Sequence, residues 1–296
     1  MTTLRQLRYL EAVARHSHFG KAAEECSVSQ PALSQQIKEL EQKWGLALLE
    51  RSPKHVSLTA EGGEAVRRAR AILSAVSDLE DFARERTGTL SGVLRLGAIP
   101  SIAPYLLPVM LTQLATRYSD VDLRLRETVT ESLVDELKAG KLDVIVAALP
   151  LKSPEIEVRE LFVDRFLLAV RDDQNLQSGA VATPAMIGED RLLLMGEGHC
   201  LREQVLSYCN IGASKLSRAM GASSLSTIVQ MVANGHGVTL LPEMCIREQA
   251  PDSRIRLMRF ADPQPSRTVA MAWRKSTPLR DDYMVLSQLM LDGWDG

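Results

Sequence analysis

The chain has 296 residues, of which 45% are hydrophobic and 24% are charged, and both fractions are ordinary for a soluble folded protein. They exclude collagen-like, disordered and membrane-embedded classes as descriptions of the whole chain. Basic and acidic side chains number 35 and 37, so no overall basic excess indicates a nucleic-acid partner. Residues 1–60 carry eight basic and six acidic side chains, which is only a weak hint of one. The length predicts two domains or three compact lobes.

The first residues are polar and charged, and no apolar run approaches the roughly 18 residues that cross a bilayer. We therefore expect no signal peptide, no membrane contact and a cytoplasmic location, where thiols are normally reduced. Four cysteines in this length do not form a disulfide scaffold. A conspicuous cysteine pair is then a better candidate for redox chemistry or metal binding than for a structural cross-link.

Residues 1–60 show the pattern of three helices followed by two short strands. Apolar residues that recur at helical spacing, beginning with Leu7, define one face of the first helix. Ser29 is a good N-cap for the third helix, and Pro31 is tolerated in its first turn because the missing N–H has no partner there. Two strands are predicted at 48–51 and 56–59, joined by a polar turn.

Residues 61–87 are predicted to form a linker helix. Its apolar side chains repeat at alternating steps of four and three, as in a coiled-coil seam. The seam consists of Ala65, Ala69, Ile72, Val76, Leu79 and Ala83. A helix of about 39 Å can bury such a seam only against its own domain or against a second copy, and we favour dimerisation. Glycine, serine and threonine after residue 86 predict a hinge.

Residues 88–296 alternate predicted strands and helices, which favours an α/β fold with a mainly parallel sheet and helices on both faces. This length is large for one such sheet, so two lobes with a cleft between them are expected. Strands are predicted near 94–96, 121–125, 142–149, 166–170, 191–195, 238–241 and 268–273. Helices are predicted near 105–118, 131–138, 225–233 and 279–291.

The second and third helices fit a helix-turn-helix, because the second of the pair is rich in Ser and Gln. Ala22 and Ala23 are small enough for a close helix crossing, and Leu33, Ile37 and Leu40 form the predicted buried face. Gln amides read adenine edges, Ser hydroxyls suit bases or phosphates, and basic side chains bind phosphates. The candidate DNA contacts are Ser29, Gln30, Pro31, Ala32, Ser34, Gln35, Lys38, Arg51 and Lys54. Spacing alone leaves open an ordinary amphipathic helix pair.

Cys200 and Cys209 form a second candidate site. Good helix formers follow Cys200, so it is predicted at a helix N-terminus beside His199, and both features favour a thiolate. Peroxide oxidises a thiolate to a sulfenic acid. Nine helical residues separate the two cysteines by roughly 13 Å, whereas a disulfide needs Cα atoms within about 7 Å. A bond between them would therefore require the helix to unwind.

Other interpretations of the cysteines remain open on the residues alone. Free cysteines are often simply small buried hydrophobes. Zinc is disfavoured because His199, Cys200 and Cys209 supply only three ligands at no standard spacing, so we predict no metal site. We also predict no cofactor. Cys26 and Cys245 are most simply interpreted as packing residues.

The N-terminal residues resemble those of LysR-type transcriptional regulators over 4–62, and the likeness continues more loosely to the C-terminus. Its most specific segment is Val28-Ser29-Gln30-Pro31-Ala32-Leu33-Ser34, supported by Leu4-Arg5-Gln6-Leu7-Arg8-Tyr9-Leu10, Phe19-Gly20-Lys21-Ala22-Ala23 and Leu48-Leu49-Glu50-Arg51. The resemblance implies a winged helix-turn-helix DNA-binding domain, a dimerising linker helix and a two-lobed α/β sensor built like a periplasmic binding protein. Such regulators usually act as dimers of dimers on an interrupted palindrome of double-stranded DNA.

The predicted domain boundaries follow from this resemblance and from the pattern. The DNA-binding domain occupies residues 1–60, the linker helix 61–87 and the regulatory domain 88–296. Lobe I is expected at about 92–163 plus 269–296, and lobe II at about 164–268.

The regulatory part resembles the peroxide-sensing members of that family. The likeness rests on Ile99-Pro100-Ser101, Pro104-Tyr105-Leu106-Leu107-Pro108, Gly140-Lys141-Leu142-Asp143, Gly198-His199-Cys200-Leu201-Arg202 with Cys209, Gly237-Val238-Thr239-Leu240-Leu241-Pro242 and Arg267-Thr268. It implies that Cys200 is the peroxidatic cysteine and Cys209 the resolving cysteine. It also implies a peroxide pocket formed by Ser101, Thr130, His199 and Arg267.

This sequence departs from the family pattern at two positions. Ser101 stands where threonine is more common, but it keeps the hydroxyl, and Glu203 stands where aspartate is common. For Thr130 and Arg267, a solvated loop residue and a surface charge remain the simpler alternatives.

These features together predict a peroxide-responsive transcription factor. A Cys200–Cys209 disulfide would refold the sensor locally, change protomer packing and shift contacts with DNA half-sites and RNA polymerase. A thioredoxin- or glutaredoxin-type reductant would reset it. Two alternatives are a LysR-type regulator that responds to a small organic effector in the inter-lobe cleft, and a thiol peroxidase. The dedicated DNA-binding module argues against an enzyme.

Overall fold

The structure is a computed structural model of the chain that describes residues 1–51, 56–85, 89–172, 181–183, 186–187, 192–209, 221–246, 252–292 and 294. The chain divides into two compact units, Met1–Ala83 with Lys138–Gly140 and Arg84–Leu137 with Lys141–Gly296. Across the described ranges, no helix combines the length and the hydropathy needed to cross a bilayer.

The N-terminal part contains the predicted helices and strand pair. Its elements are α1 (Leu4–His16), α2 (Phe19–Glu25), α3 (Gln30–Trp44), β1 (Leu49–Arg51), β2 (Val56–Leu58) and α4 (Ala60–Glu85). β1 and β2 pair in antiparallel register, with Leu49 opposite Leu58. Ala22 and Ala23 are buried at the helix crossing, as predicted.

The bounds of α3 follow from its terminal residues. Ser29 is the N-cap, and its Oγ accepts a hydrogen bond from the Ala32 N–H at 3.4 Å. Pro31 lies in the first turn, where its lack of an N–H costs no helical hydrogen bond. Gly45 ends the helix with a φ of 66°, a left-handed conformation that glycine adopts without strain. The sequence therefore predicts this helix at both ends.

The start of α4 packs closely on the residues before β1. Thr59 Oγ1 accepts from the Gly62 N–H at 2.9 Å and donates to the Ala47 carbonyl at 2.7 Å. A Cβ built on Gly62 would lie 2.0 Å from the Leu48 carbonyl oxygen, but one on Gly63 would meet nothing within 4 Å. Only the first of these adjacent glycines is required by packing.

Gly62→Ala is expected to lower the free energy of unfolding by at least about 1–3 kcal/mol, because the new methyl group would displace backbone. Gly63→Ala is the matched control, and it is expected to raise stability by up to about 1 kcal/mol, since alanine favours a helix more than glycine does. Calorimetry of the two full-length variants checks this. Equal transitions in both variants would contradict the packing argument.

The larger part holds the remaining elements. The helices are α5 (Ala103–Arg117), α6 (Thr130–Lys138), α7 (Cys200–Cys209), α8 (Leu225–Ala233) and α9 (Arg280–Asp292), with a 3-10 turn at Glu243–Cys245. The strands are β3 (Gly92–Ala98), β4 (Val121–Glu127), β5 (Val144–Ala148), β6 (Ile156–Arg171), β7 (Leu194–Met195), β8 (Gly221–Ala222), β9 (Thr239–Pro242), β10 (Ile255–Met258) and β11 (Ser266–Arg274).

The main sheet of the described residues has seven strands in the order β10-β6-β11-β5-β3-β4, with β9 also paired to β6. β3 runs parallel to β4 and β5, but β11 is antiparallel to β5 and β6, and β6 is antiparallel to β9 and β10. The prediction of a mainly parallel sheet is therefore wrong. Helical crossovers join β3, β4 and β5, whereas β6 follows β5 without a helix and reverses the pattern.

β6 is longer than the predicted strand at 166–170. It runs for 16 residues and changes partner along its length. It pairs with β11 up to Arg165 and with β9 from Phe166 onwards. Just before this change, Asp164 lies directly opposite Arg267 of β11. The topology thus places a carboxylate beside a predicted site residue.

Candidate functional site

The predicted DNA-reading residues lie on the exposed face of α3. Leu33, Ile37 and Leu40 are fully buried on the opposite face, as predicted. Ser29, Gln30, Pro31, Ala32, Gln35 and Lys38 are exposed, and Ser34 is half-buried. This is the division of faces that a recognition helix requires.

Two candidate phosphate contacts cannot be placed in the same way. Arg51 ends β1, but its side chain is outside the described part, and Lys54 lies outside the described residues. The sequence reasoning did not single out Glu39. Its carboxylate accepts from the Gln35 amide nitrogen at 3.0 Å and from the Gln36 amide nitrogen at 2.8 Å.

α7 has one candidate redox cysteine at each end. It spans Cys200–Cys209, and both thiols are free and half-buried. Leu201, Val205 and Leu206 anchor the helix in the core. Nine helical steps separate the cysteines by about 13 Å, well beyond the roughly 7 Å limit for the Cα atoms of a disulfide. A disulfide between them therefore requires this helix to unwind.

Burial shifts the pKa of two side chains, one at the end of this helix and one just before its start. It raises the pKa of the Cys209 thiol to about 11. It lowers the pKa of His199, so the imidazole is neutral at neutral pH. The sequence reasoning expected His199 to favour a thiolate at Cys200, but a neutral ring supplies no positive charge. The other predicted feature is present, because Cys200 is the first residue of α7.

Alkylation of Cys209 is expected to report this burial. Only the thiolate reacts, so the iodoacetamide rate at Cys209 should rise about tenfold per pH unit from pH 7 to 10 without a plateau. The Cys200→Ser variant, analysed by peptide mass spectrometry, isolates the signal. A free cysteine peptide is the control and should level off near pH 9. A plateau near pH 9 in the folded protein would contradict the raised pKa.

The other two cysteines behave as packing residues. Cys245 is fully buried, and its Sγ donates to the Pro242 carbonyl at 2.9 Å. Cys26 is half-buried and packs against the core of the N-terminal part. Within the described ranges, no group of three or more His, Cys, Asp or Glu side chains could hold a metal ion.

Arg267 and Ser101 are brought into direct contact inside the larger part. The guanidinium Nη1 donates to Ser101 Oγ at 2.8 Å, and Nη2 donates to the Ser101 carbonyl at 3.0 Å. Nη2 also lies 3.3 Å from Met244 Sδ. Both predicted residues are buried, so the alternative of Arg267 as a surface charge is wrong.

The partner of Arg267 is a residue that the sequence reasoning missed. Asp164 Oδ2 accepts from Arg267 Nε at 2.9 Å, and Oδ1 accepts from the Met244 N–H at 3.0 Å. Burial raises the pKa of Asp164, and the guanidinium and the amide oppose this rise. The available signal was a charged residue just before the apolar run 166–170, but its partner lies about a hundred residues away.

The other two predicted pocket residues, Thr130 and His199, lie on two chain segments that adjoin each other. Thr130 is the first residue of α6, and its buried Oγ1 has no hydrogen-bond partner among the described residues. It is therefore not a solvated loop residue. Gly198 lies against Val129, since a Cβ built on it would be 3.6 Å from Val129 Cγ1. The N-terminus of α6 thus adjoins the turn that leads to Cys200.

Gln204 of α7 is a further candidate residue of the site around Cys200. It follows Cys200 by four residues, so the two side chains share one face of the helix. Its buried Oε1 also has no hydrogen-bond partner in the described part of the chain. The sequence offered no signal for it, because an amide in a helix is usually solvated.

Family models match nearly the whole chain. Residues 4–63 match the family described as bacterial regulatory helix-turn-helix protein, lysR family. Residues 87–294 match the family described as LysR substrate binding domain. A probable hydrogen peroxide-inducible genes activator of Streptomyces viridosporus is 39% identical over 287 residues, covering 96% of this chain and 92% of that relative. The DNA-binding transcriptional dual regulator OxyR of Escherichia coli K12 is 35% identical over 293 residues, covering 99% and 96%.

A solved structure is similar to nearly the whole chain. A cysteine-to-serine mutant of Corynebacterium glutamicum OxyR, bound to hydrogen peroxide, is 30% identical with a TM-score of 0.67, covering 99% of this chain and 92% of that one. The predicted fold class, a winged helix-turn-helix joined to a periplasmic-binding-like α/β domain, is confirmed. These relatives are named as regulators, which also confirms the prediction that the chain is not an enzyme. The chain belongs to the LysR family of transcriptional regulators and is OxyR-like.

Proposed function

We propose that this regulator binds DNA in the cytoplasm and senses hydrogen peroxide through Cys200 and Cys209. The observation that carries the proposal is the placement of two free cysteines at the opposite ends of one helix, which cannot hold a disulfide without unwinding. The names of its relatives and the peroxide in the C. glutamicum structure support the choice of signal.

The chemistry proceeds in two balanced steps. The Cys200 thiolate attacks one peroxide oxygen, an S–O bond forms, the O–O bond breaks, and the departing hydroxide takes a proton to become water. The Cys209 sulfur then attacks the sulfenic sulfur, an S–S bond forms, the S–O bond breaks, and a second water leaves. Peroxide gains two electrons, and the cysteine pair loses them. A thioredoxin- or glutaredoxin-type dithiol returns these electrons and resets the protein.

Ser101, Thr130, His199 and Arg267 form the proposed peroxide pocket. Ser101 Oγ accepts from Arg267, so its own proton is free to bond a peroxide oxygen. The Thr130 hydroxyl is buried without a partner among the described residues, which suits a bound polar molecule. The neutral imidazole of His199 is in the protonation state that accepts a proton. Together these groups would orient peroxide and help to move its protons.

The output of the switch is a change in protomer packing. We infer a dimer that forms through α4, because Ile72 and Leu79 of the predicted seam are 47% and 67% exposed in the single chain. Ala69, in the first part of the seam, is buried. Two dimers on an interrupted palindrome, with altered half-site contacts and RNA polymerase recruitment, complete the proposal.

The seam yields a prediction about mass in solution. Ile72→Glu with Leu79→Glu places charges on the exposed apolar stripe, so dimers held by α4 should dissociate and the measured mass should fall about twofold. Gly63→Glu with Ala71→Glu is the matched control, since it adds the same charge at exposed positions of α4 outside the seam. Sedimentation equilibrium distinguishes the two. An unchanged mass for the seam variant would contradict dimerisation through this stripe.

The test of the function treats reduced protein with one equivalent of hydrogen peroxide. Mass spectrometry should recover a Cys200–Cys209 disulfide peptide, and the footprint on bound DNA should shift and return after thioredoxin is added. If the peptide is missing, or if the footprint is the same in both states, the proposal fails. A footprint that responds to a small organic metabolite but not to peroxide would favour an effector-binding LysR regulator.

A further inference from the structure

The larger part contains a buried carboxylate that the proposed chemistry does not use. The side chain of Asp164 is 1% exposed, and that of Arg267 is 0% exposed. A charge so deeply buried is costly unless it is paired and hydrogen-bonded. Both oxygens of Asp164 are engaged, so the pair satisfies this requirement. What remains to be explained is why a pair stands here rather than apolar side chains.

The carboxylate joins two fixed backbone segments. Asp164 and Arg267 are directly opposed on β6 and β11. Its second oxygen binds the amide of Met244, in the turn after β9, which pairs with the other end of β6. Asp164 therefore lies where β6 leaves one partner strand for another, and its position is determined by elements on both sides of that change.

The same contacts fix the orientation of the guanidinium. Asp164 holds Arg267 at Nε, which leaves the two Nη groups to point away from it. These groups contact Ser101, Nη1 at its hydroxyl and Nη2 at its carbonyl. The planar guanidinium transmits the orientation set at Nε to both Nη atoms, because its donors keep a fixed fork geometry. Three residues from separate segments thus form one rigid chain of hydrogen bonds.

We propose that Asp164 is a positioning residue for the oxidation of Cys200 by peroxide. It acts through Arg267, whose fixed guanidinium holds the Ser101 hydroxyl in the orientation that peroxide needs. This inference rests on the proposed function, since it assumes that Arg267 and Ser101 bind peroxide. Without Asp164 the guanidinium can rotate about its own chain, and a misplacement of about 1 Å in a reacting group can cost on the order of a hundredfold in rate.

The experiment measures the rate constant of Cys200 oxidation by hydrogen peroxide in the full-length protein with Cys209→Ser, which stops the reaction at the sulfenic acid. Asp164→Asn is expected to lower this rate constant by about 10- to 100-fold. Iodoacetamide alkylation of Cys200, which needs no peroxide pocket, should stay within about twofold. Asp122→Asn, which removes the charge of an exposed ion pair with Arg124, is the matched control and should leave both rates unchanged.

A double-mutant cycle separates positioning from general damage. Arg267→Lys keeps the charge but loses the fork, and it should slow oxidation in the same way. Because both residues act through one chain of contacts, the double variant should be no slower than the slower single variant. Asp164→Glu keeps the charge and displaces it by one methylene, so it should also slow peroxide oxidation. This variant replaces Asp164→Asn in the experiment if the asparagine variant does not fold.

Two outcomes would overturn the inference alone. One is wild-type oxidation in the Asp164 variants while Arg267→Lys is slow, and the other is a parallel fall in the alkylation rate, which would indicate general damage. If Cys200 of the unmodified protein does not react with peroxide, or if Arg267→Lys reacts normally, the proposed pocket fails and the inference fails with it.

Discussion

Cys200→Ser is expected to abolish the response of DNA binding to peroxide. Serine has almost the shape of cysteine, so α7 should persist, but its hydroxyl cannot form a sulfenic acid or a disulfide. The footprint of the variant on operator DNA should match that of the reduced wild type at every peroxide concentration. Footprinting in a peroxide titration, with thiol labelling on the same samples, checks both the output and the chemistry.

Two further cysteine variants serve as controls for this result. Cys209→Ser keeps the first step, so it should form a sulfenic acid at Cys200 but no internal disulfide. Cys245→Ser alters a fully buried thiol outside the proposed site and should retain the full response. A Cys200→Ser protein whose footprint still shifts with peroxide would show that sensing occurs elsewhere in the chain.

Arg267→Met is expected to destabilise the protein by about 3–5 kcal/mol, because it leaves the buried Asp164 carboxylate without its charged partner. Arg124→Met is the matched control. Its ion pair with Asp122 is exposed, so its loss should cost no more than about 1 kcal/mol. Urea denaturation of both variants measures the difference. Similar losses in the two would contradict the importance of burial.

The destabilisation by Arg267→Met should also depend on pH. In the wild type the guanidinium opposes the rise in the pKa of Asp164 that burial causes. Its removal raises that pKa further above the value in the unfolded chain. A group with a raised folded-state pKa contributes stability at low pH and loses it as pH rises. The gap between the variant and the wild type should therefore be smaller at pH 5 than at pH 7.5.

The elements around the recognition helix could be predicted because their signals are local. Ser29, Pro31 and Gly45 fix the ends of α3 through caps and backbone conformation, and these depend on nearby residues alone. The same holds for α7, whose residues are good helix formers. Local rules therefore place both candidate sites on the correct kind of element.

The features that sequence reasoning missed depend on distant parts of the chain. The antiparallel run of β6 follows from its pairing with β11, roughly a hundred residues later. The same pairing brings Asp164 to Arg267, and neither residue type reveals a buried ion pair in advance. The unpartnered oxygens of Thr130 and Gln204, among the described residues, depend on packing that no periodicity records. The prediction was weakest where long-range contacts determine the environment.

The packing of α7 has a consequence for the redox potential of the cysteine pair. If Cys200 and Cys209 join, the chain must give up this helix and the buried positions of Leu201, Val205 and Leu206. The free energy of that loss is subtracted from the stability of the disulfide. For a two-electron couple, each 1.4 kcal/mol of such cost raises the potential by about 30 mV. A tightly packed helix thus makes the oxidised state easier to reduce, so the core that defines the reduced fold also sets how readily a cellular dithiol can restore it.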